Sequence, residues 1–262
     1  MVDSVDSALR HLRQDRTGRG RSVVDGMCRA ADQDGHYWFF RGDKAFRYDA
    51  VRSAVVEPAD LLVRHWPLLA GTEFAHGIDA CYTTYHRPHG YHWFFTGGLA
   101  VQYDSVRGVI LQGPAAVDEI FRFTGAEADF ARGIDAVCPP GPSDGVFWFF
   151  RGSRALQYDT RSGSLLRPAG PLARYWPGLA GTVFAQGVDA CYTVSRAPGG
   201  RHWFVAGDQA VQYDSMRHAI RFGPEPLAGL IAARPEDLRP DRRPDQPCPG
   251  APLRRLDGLP HT

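Results

Sequence analysis

Four of the five cysteines recur at matching places along the chain. The segments GIDACYT and GVDACYT differ at one position, and they place Cys81 and Cys191 two residues after an aspartate. Cys28 and Cys138 each lie three residues after an aspartate in two related segments. Thiolates bind soft metal ions and take part in redox chemistry, so these positions are candidates for either role. Cys248 lies in a proline-rich segment and is not expected to contribute.

The four segments that hold these cysteines form an internal repeat. Their aspartates, separated by 54, 56 and 54 residues, are Asp25, Asp79, Asp135 and Asp189. After each aspartate the pattern predicts a short strand, an aromatic strand with W-F-F or W-F-V, a turn with glycine, and a strand ending in Tyr-Asp. An outer strand and a short helix are expected next, with the helix ending at Trp-Pro because the residue before proline avoids the α conformation. A period near 50 residues is typical of propeller blades.

The run of I/V-D-A, W-F-F-x-G-x-x-x-x-x-Y-D and W-P-G-L resembles the hemopexin-like repeat. The resemblance covers about residues 22–234, and W-P-G-L is complete only at 176–179. It implies an all-β fold, a four-bladed hemopexin-like β-propeller with short helices between the blades. The expected divisions are a flexible tail over 1–21, blades at about 22–74, 75–130, 131–184 and 185–234, and a Pro/Arg-rich flexible tail over 235–262.

The resemblance also implies a cation in the central channel. In the family, backbone carbonyls at the Asp-Ala position hold such an ion, which carries over to the main chain of Asp25, Asp79, Asp135 and Asp189. Hard cations prefer oxygen ligands, and Ca²⁺ or Na⁺ is expected here. The carboxylates have the alternative role of accepting hydrogen bonds from loops at the channel mouth. The ion would be structural and would not indicate a function.

The cysteines are expected to face one another between blades. Side chains alternate along a strand, so offsets of two and three point to opposite neighbours. Two pairings stay open: Cys28 with Cys81 and Cys138 with Cys191, or Cys81 with Cys138 and Cys28 with Cys191. Buried cysteines often pack as small hydrophobic residues, but one thiol per blade also fits a Cu(I) or Zn²⁺ site. Cu(I) is favoured, because twofold symmetry would oppose Cys81 and Cys191.

Histidines are secondary candidates for ligands. His86, His89 and His92 occur in YHRPHGYHW, in a loop that leads into a strand, and His202 matches His92 in the fourth repeat. Histidines at this spacing could together bind a metal ion or haem. Haem is less favoured, because haem carriers of the family place it between two propellers and this chain has one. Repeats 2 and 4 share DACYT and His-Trp, which indicates a duplicated two-blade unit.

Composition narrows the partners. Thirty basic and 29 acidic residues do not favour nucleic acid or a membrane surface. The chain has no apolar run of transmembrane length and no secretory signal, so we expect a cytoplasmic protein whose cysteines stay as thiols.

The leading functional hypothesis is a propeller that binds a small molecule or a metal ion. One alternative is a copper-dependent enzyme of specialised metabolism that uses the channel cysteines; no P-loop, Rossmann, G-x-S-x-G or H-E-x-x-H motif is present. The other is a protein-docking scaffold, which requires an exposed apolar patch. The sequence determines neither the ligand nor the oligomeric state.

Overall fold

Four antiparallel sheets of four strands each build the ring of the protein, which is described by a computed structural model. The structure describes residues 7–9, 22–31, 35–86, 89–140, 145–193 and 200–229. Within each sheet the strands follow chain order, so every blade is a meander that starts at the innermost strand.

The strands have the following bounds. Blade 1 contains β1 (Gly26–Arg29), β2 (His36–Arg41), β3 (Lys44–Asp49) and β4 (Ala54–Leu61). Blade 2 contains β5 (Ala80–His86), β6 (His89–Thr96), β7 (Leu99–Asp104) and β8 (Val109–Ala116). Blade 3 contains β9 (Ala136–Cys138), β10 (Val146–Arg151), β11 (Arg154–Asp159) and β12 (Ser164–Pro171). Blade 4 contains β13 (Ala190–Thr193), β14 (Arg201–Ala206), β15 (Gln209–Asp214) and β16 (Ala219–Pro226).

The innermost strands close the ring. Strand β1 contacts β5 and β13, and β9 contacts the same two strands from the other side. The predicted all-β, four-bladed architecture is therefore confirmed. Because the first strand of each blade surrounds the axis, residues early in every repeat are brought together although they lie more than 50 positions apart in the chain.

Short helices connect the blades. They are α1 (Leu62–His65), α2 (Val117–Phe121) and α3 (Leu172–Tyr175), with 3₁₀ turns at Pro67–Leu69, Glu73–Ala75, Gly125–Arg132, Pro177–Leu179 and Val183–Ala185. Helices α1 and α3 end at Trp66 and Trp176, whose ψ angles are 77° and 75°. Each tryptophan precedes a proline that excludes the α conformation, so the predicted helix ends are confirmed. The described helices are all too short to cross a membrane.

The core lies between the blades as four clusters of buried side chains. Between blades 1 and 2, Phe40 lies 5.5 Å from Trp66 and 5.8 Å from Phe94 between ring centroids. The equivalent contacts between blades 3 and 4 join Phe150 to Trp176 and Phe204 at 5.2 and 5.9 Å. These matching distances show the twofold repetition of a two-blade unit.

The N-terminal segment is not entirely a free tail. Ala8 and Leu9 are each 3% exposed and pack in the core between blades 4 and 1. Apolar burial at the joint between the first and last blade explains why these two residues differ from the expected flexible tail. The rest of the predicted tail over 1–21, and the tail over 235–262 with Cys248, lie outside the described residues.

Candidate metal centre

The four repeated aspartates directly precede the innermost strands, and their carboxylates hold hairpin turns. Each accepts a hydrogen bond from the backbone N–H of the glycine that opens the turn between the second and third strands of its blade. The pairs are Asp25–Gly42, Asp79–Gly97, Asp135–Gly152 and Asp189–Gly207, with N···O distances of 2.7, 2.8, 2.6 and 2.7 Å. The carboxylates thus take the hydrogen-bonding role that the sequence left as an alternative. A channel ion held by their carbonyls stays a prediction.

The cysteines meet in two pairs between blades. Cys28 and Cys81 are buried free thiols in the core between blades 1 and 2. Cys138 and Cys191 form a disulfide between blades 3 and 4, with a Cα–Cα distance of 5.6 Å. The structure has the first of the two pairings that strand alternation left open.

Two expectations about the cysteines are corrected. Cys138 and Cys191 are not thiols, because the alternation of side chains places their sulfur atoms face to face at a Cα separation typical of disulfides. Cys81 and Cys191 lie in different inter-blade cores, so they do not form one symmetric two-thiolate site. The cytoplasmic location stays a prediction.

Each cysteine pair has a histidine and a threonine beside it. We call Cys28, Cys81, Thr83 and His92 the thiol cluster. In it the Cys28 Sγ lies 3.7 Å from the His92 Nδ1, and the Cys81 side chain hydrogen-bonds with Cys28. All three potential ligands are buried, with exposures of 3% for Cys28, 2% for Cys81 and 0% for His92.

The equivalent group is the disulfide cluster: Cys138, Cys191, Thr193 and His202. The Cys138 Sγ lies 3.9 Å from the His202 Nδ1. The two sulfur atoms and one imidazole nitrogen all lie within 4.8 Å of one another. The two clusters therefore contain the same residue types at equivalent strand positions, but in different oxidation states.

The threonines set the tautomer of each histidine. The Thr83 hydroxyl donates its one proton to the carbonyl of Arg29 at 2.5 Å, and its oxygen lies 3.2 Å from the His92 Nδ1. Because that proton is already used, Nδ1–H is the donor to Thr83. The Nε2 of His92 is buried and has no hydrogen-bond partner among the described residues.

The disulfide cluster has the same hydrogen-bond arrangement. Thr193 donates its hydroxyl proton to the carbonyl of Pro139, and its oxygen lies 2.9 Å from the His202 Nδ1. His202 is therefore also expected to carry its proton at Nδ1.

Ionisation differs between the two thiols of the thiol cluster. Burial opposes the charged form of Cys28, but hydrogen bonds from Cys81 and the favourable field and hydrogen bond of His92 lower its pKa to about 6. Burial, followed by the hydrogen bond and negative charge of Cys28, raises the pKa of Cys81 well above its ordinary value. Of the two thiols, Cys28 is therefore the one that ionises more readily.

His202 of the disulfide cluster is held neutral. Burial lowers its pKa to about 4, because the loss of water around the ring disfavours the charged imidazolium. A neutral imidazole is the form that binds metal ions.

Aromatic rings enclose both clusters. His92 stacks on Phe94 at 5.3 Å and meets Trp66 edge-on at 6.1 Å. His202 stacks on Phe204 at 5.6 Å and meets Trp176 edge-on at 6.2 Å. The rings fix the imidazole planes, so each nitrogen points in a defined direction.

The repeated DACYT motif positions these groups by strand alternation. Cys81 and Thr83 lie on the face of β5 that meets blade 1, whereas Tyr82 lies on the other face and contacts Phe147 of blade 3 at 3.9 Å. In blade 4, Tyr192 likewise contacts Tyr37 of blade 1 at 4.8 Å. The motif is repeated because it supplies a cysteine and threonine to one neighbour and an aromatic ring to the other.

Sequence reasoning identified the cysteines and placed His92 and His202 second, but it missed the threonines. The available signal was the period of two: Thr83 is two residues after Cys81 and is the direct cross-strand partner of His92. Strands β5 and β6 pair as far as His86 and His89. The side chains of those two histidines lie outside the described part of the chain.

Comparison with known proteins matches the fold only. No protein-family model matches the chain, and no curated protein matches its sequence. A hemopexin-fold protein, CP4 from cow pea, has a TM-score of 0.70, is 22% identical, and covers 81% of this chain and 97% of its own. This chain has the hemopexin fold.

Two further solved structures agree. The 2S albumin seed protein from Dolichos superposes on this chain with a TM-score of 0.70 at 22% identity, over 83% of this chain and 99% of its own. A plant lectin with two metal binding sites from Cicer arietinum has a TM-score of 0.65 at 18% identity, over 78% and 90% of the two chains. At these identities the likeness describes the architecture.

Proposed function

We propose that this hemopexin-fold chain is a metal-binding protein, and that its thiol cluster holds one Zn²⁺ or Cu(I) ion with Cys28, Cys81 and His92. The separation of Cys28 Sγ and His92 Nδ1, 3.7 Å, carries the proposal. Thiolate and imidazole ligands on a tetrahedral zinc, with bonds of about 2.3 and 2.0 Å, stand about 3.5 Å apart. Two of the ligands are thus already at the spacing that a bound ion requires.

The donor set selects soft or borderline ions. Thiolates favour Cu(I) and Zn²⁺ over Mg²⁺ or Ca²⁺, which prefer oxygen. Two thiolates and a neutral imidazole make an uncharged complex with Zn²⁺, whereas Cu(I) is uncharged with a single thiolate. A net charge inside an apolar core is unfavourable, so the number of ionised sulfur atoms determines which ion fits.

The histidine accommodates a metal through a change of tautomer. An ion at the Nδ1 of His92 moves the ring proton to Nε2, because neutral imidazole carries one proton. That Nε2 already lacks a hydrogen-bond partner among the described residues. Coordination therefore leaves the same nitrogen without a partner, as a donor in place of an acceptor, and leaves the Thr83 hydroxyl free to accept a different hydrogen bond.

Burial of the ligands favours binding over catalysis. A catalytic metal keeps an open position for water or substrate, whereas Cys28, Cys81 and His92 are each 3% exposed or less. The description of the similar lectin as having two metal binding sites supports a metal-binding use of this fold. The enzyme alternative lacks a comparable observation.

The docking alternative is supported less well by the described surface. Three blades expose one apolar side chain each at the turn between the third and fourth strands. These side chains are Val51, Val106 and Met216. Leu165 and Leu166 are exposed on the outer strand of the remaining blade. These residues are spread around the rim, whereas a docking scaffold requires one continuous patch.

Metal counting tests the proposal. Untagged full-length protein is purified without reductant, stripped with chelator, loaded with Zn²⁺ or Cu(I), and analysed by mass spectrometry for metal per chain. We expect one ion in the parent chain, none in Cys81→Ser, and one in the matched control Cys248→Ser. Circular dichroism checks that each variant is folded. Equal metal content in folded Cys81→Ser and the parent would overturn the proposal.

A further inference from the structure

The disulfide cluster contains the same residue types as the thiol cluster, residue for residue. Cys138, Cys191 and His202 correspond to Cys28, Cys81 and His92, and sulfur-to-Nδ1 distances are 3.9 and 3.7 Å. All three donor groups of the disulfide cluster are buried. The donor residues for a second metal site are therefore grouped between blades 3 and 4.

The oxidation state prevents use of that second site. Metal ligation by cysteine requires the thiolate, and neither sulfur of a disulfide has that charge. Cys28 and Cys81 in contrast are free thiols in an equivalent setting. The fold thus contains one cluster whose cysteines can bind a metal ion and one whose cysteines are joined in a disulfide and cannot.

We infer that the Cys138–Cys191 disulfide is a redox gate on a second metal site, so that the chain holds one soft metal ion when oxidised and two when reduced. This inference rests on the proposed function, because it gives both clusters the same ligand chemistry. It goes further by assigning the second site, its ligands Cys138, Cys191 and His202, and the condition that opens it.

The chemistry balances with a thiol reductant. Two small-molecule thiols reduce the Cys138–Cys191 bond: one protein S–S bond breaks, one S–S bond forms between the reductant molecules, and each cysteine gains a proton. Metal binding then displaces thiol protons into solvent. In the reverse step a small-molecule disulfide oxidises the pair: its S–S bond breaks, its two halves leave as thiols with protons from solvent, the Cys138–Cys191 bond forms, and the ion is released.

The fold is able to hold the reduced pair without rearrangement. The thiol cluster shows free thiols in the same frame of rings, with Phe40, Trp66 and Phe94 in the places of Phe150, Trp176 and Phe204. Cys138 and Cys191 belong to β9 and β13, which contact each other, so their backbones, 5.6 Å apart between Cα atoms, stay close after the sulfur bond is broken. The Nδ1 of His202 already lies 3.9 Å from the Cys138 Sγ.

The experiment compares metal content in the two redox states. One half of a preparation is reduced with a phosphine and handled without oxygen, and both halves are loaded with Zn²⁺ and then passed over a desalting column. Alkylation before and after reduction, read by peptide mass spectrometry, verifies the state of Cys138 and Cys191 separately from Cys28, Cys81 and Cys248. We expect one ion per oxidised chain and two per reduced chain.

Matched variants separate this inference from the proposed function. Cys81→Ser should hold no ion when oxidised and one when reduced, whereas Cys191→Ser should hold one in both states. One ion in both states of the parent chain, with reduction verified, overturns the redox gate alone. No ion in either state overturns the gate and the proposed function together.

Discussion

Acidification should weaken the oxidised protein through His202. Its pKa in the folded chain is about 4, against 6.5 for the free side chain, because burial removes water from the imidazolium. The unfolded chain therefore takes up a proton as pH falls below 6.5, while the folded chain does not. Stability from this group is fully present above pH 6.5 and is lost as pH falls toward 4. With a pKa of about 4 in the folded chain and 6.5 in the unfolded chain, the free energy of unfolding falls by about 2 kcal/mol between pH 7 and pH 5.

Denaturant titration of the parent chain and His202→Asn measures this effect. The asparagine amide has a donor near the position of Nδ1, so the hydrogen bond to Thr193 has a replacement, and any lost packing is independent of pH. Both proteins are studied with chelator present and the disulfide intact. We expect the stability difference between them to narrow by about 2 kcal/mol from pH 7 to pH 5. A difference that does not change with pH refutes the conclusion that His202 is held neutral by burial.

Two further predictions concern the fold. Asp25→Ala should lower the unfolding free energy by about 1–3 kcal/mol, because the N–H of Gly42 loses its acceptor. Asp25→Asn should cost less at pH 7, since it retains an acceptor and removes a carboxylate whose pKa burial raises; equal losses in thermal unfolding would contradict this. Gly113→Ala should be strongly destabilising, because its new Cβ would lie 2.5 Å from a backbone oxygen at a φ of +80°. Gly108→Ala, with a φ of +66° and open space, should cost only about 1 kcal/mol, and similar melting temperatures for these two variants would contradict the steric argument.

The ring of blades could be predicted because each feature of the repeat depends on residues that are close together in the sequence. The aromatic strand, the glycine turn and the Trp-Pro helix end each follow from short-range rules, and four copies in order leave few alternative architectures. The strand alternation in DACYT also limited the cysteines to two pairings. Which pairing forms depends on the direction in which the blades follow one another around the axis, which the spacing alone does not contain.

The redox state of the cysteines could not be predicted from spacing. Cys28 precedes Cys81 by as many residues as Cys138 precedes Cys191, a separation of 53, yet only the second pair is bonded. The proximity of the histidines to the cysteines was not predicted, because His92 and His202 each follow their threonine by nine residues across hairpins of different sequence. Only the paired strands show that each imidazole returns to the side of its threonine and cysteine.

The role of the aspartates needed the structure for a similar reason. Asp25 and the turn glycine Gly42 are 17 positions apart, and their contact depends on how β1 and β2 pair. The sequence indicated both residues as repeated features but gave no distance between them. Their hydrogen bond shows that the motif first serves to hold the turn of each blade.

When the chain is pulled from its two ends, the disulfide determines which part of the ring can extend. The joint between blades 4 and 1 is held by noncovalent contacts such as the Val23 N–H bond to the Gly207 carbonyl, so it can separate under load. The segment between Cys138 and Cys191, a separation of 53 residues, cannot extend while the sulfur bond is intact. That segment would span about 180 Å if fully stretched, and this length becomes available to force only after reduction. The oxidised protein is therefore shorter at full extension than the reduced protein by a distance that a single-molecule instrument resolves.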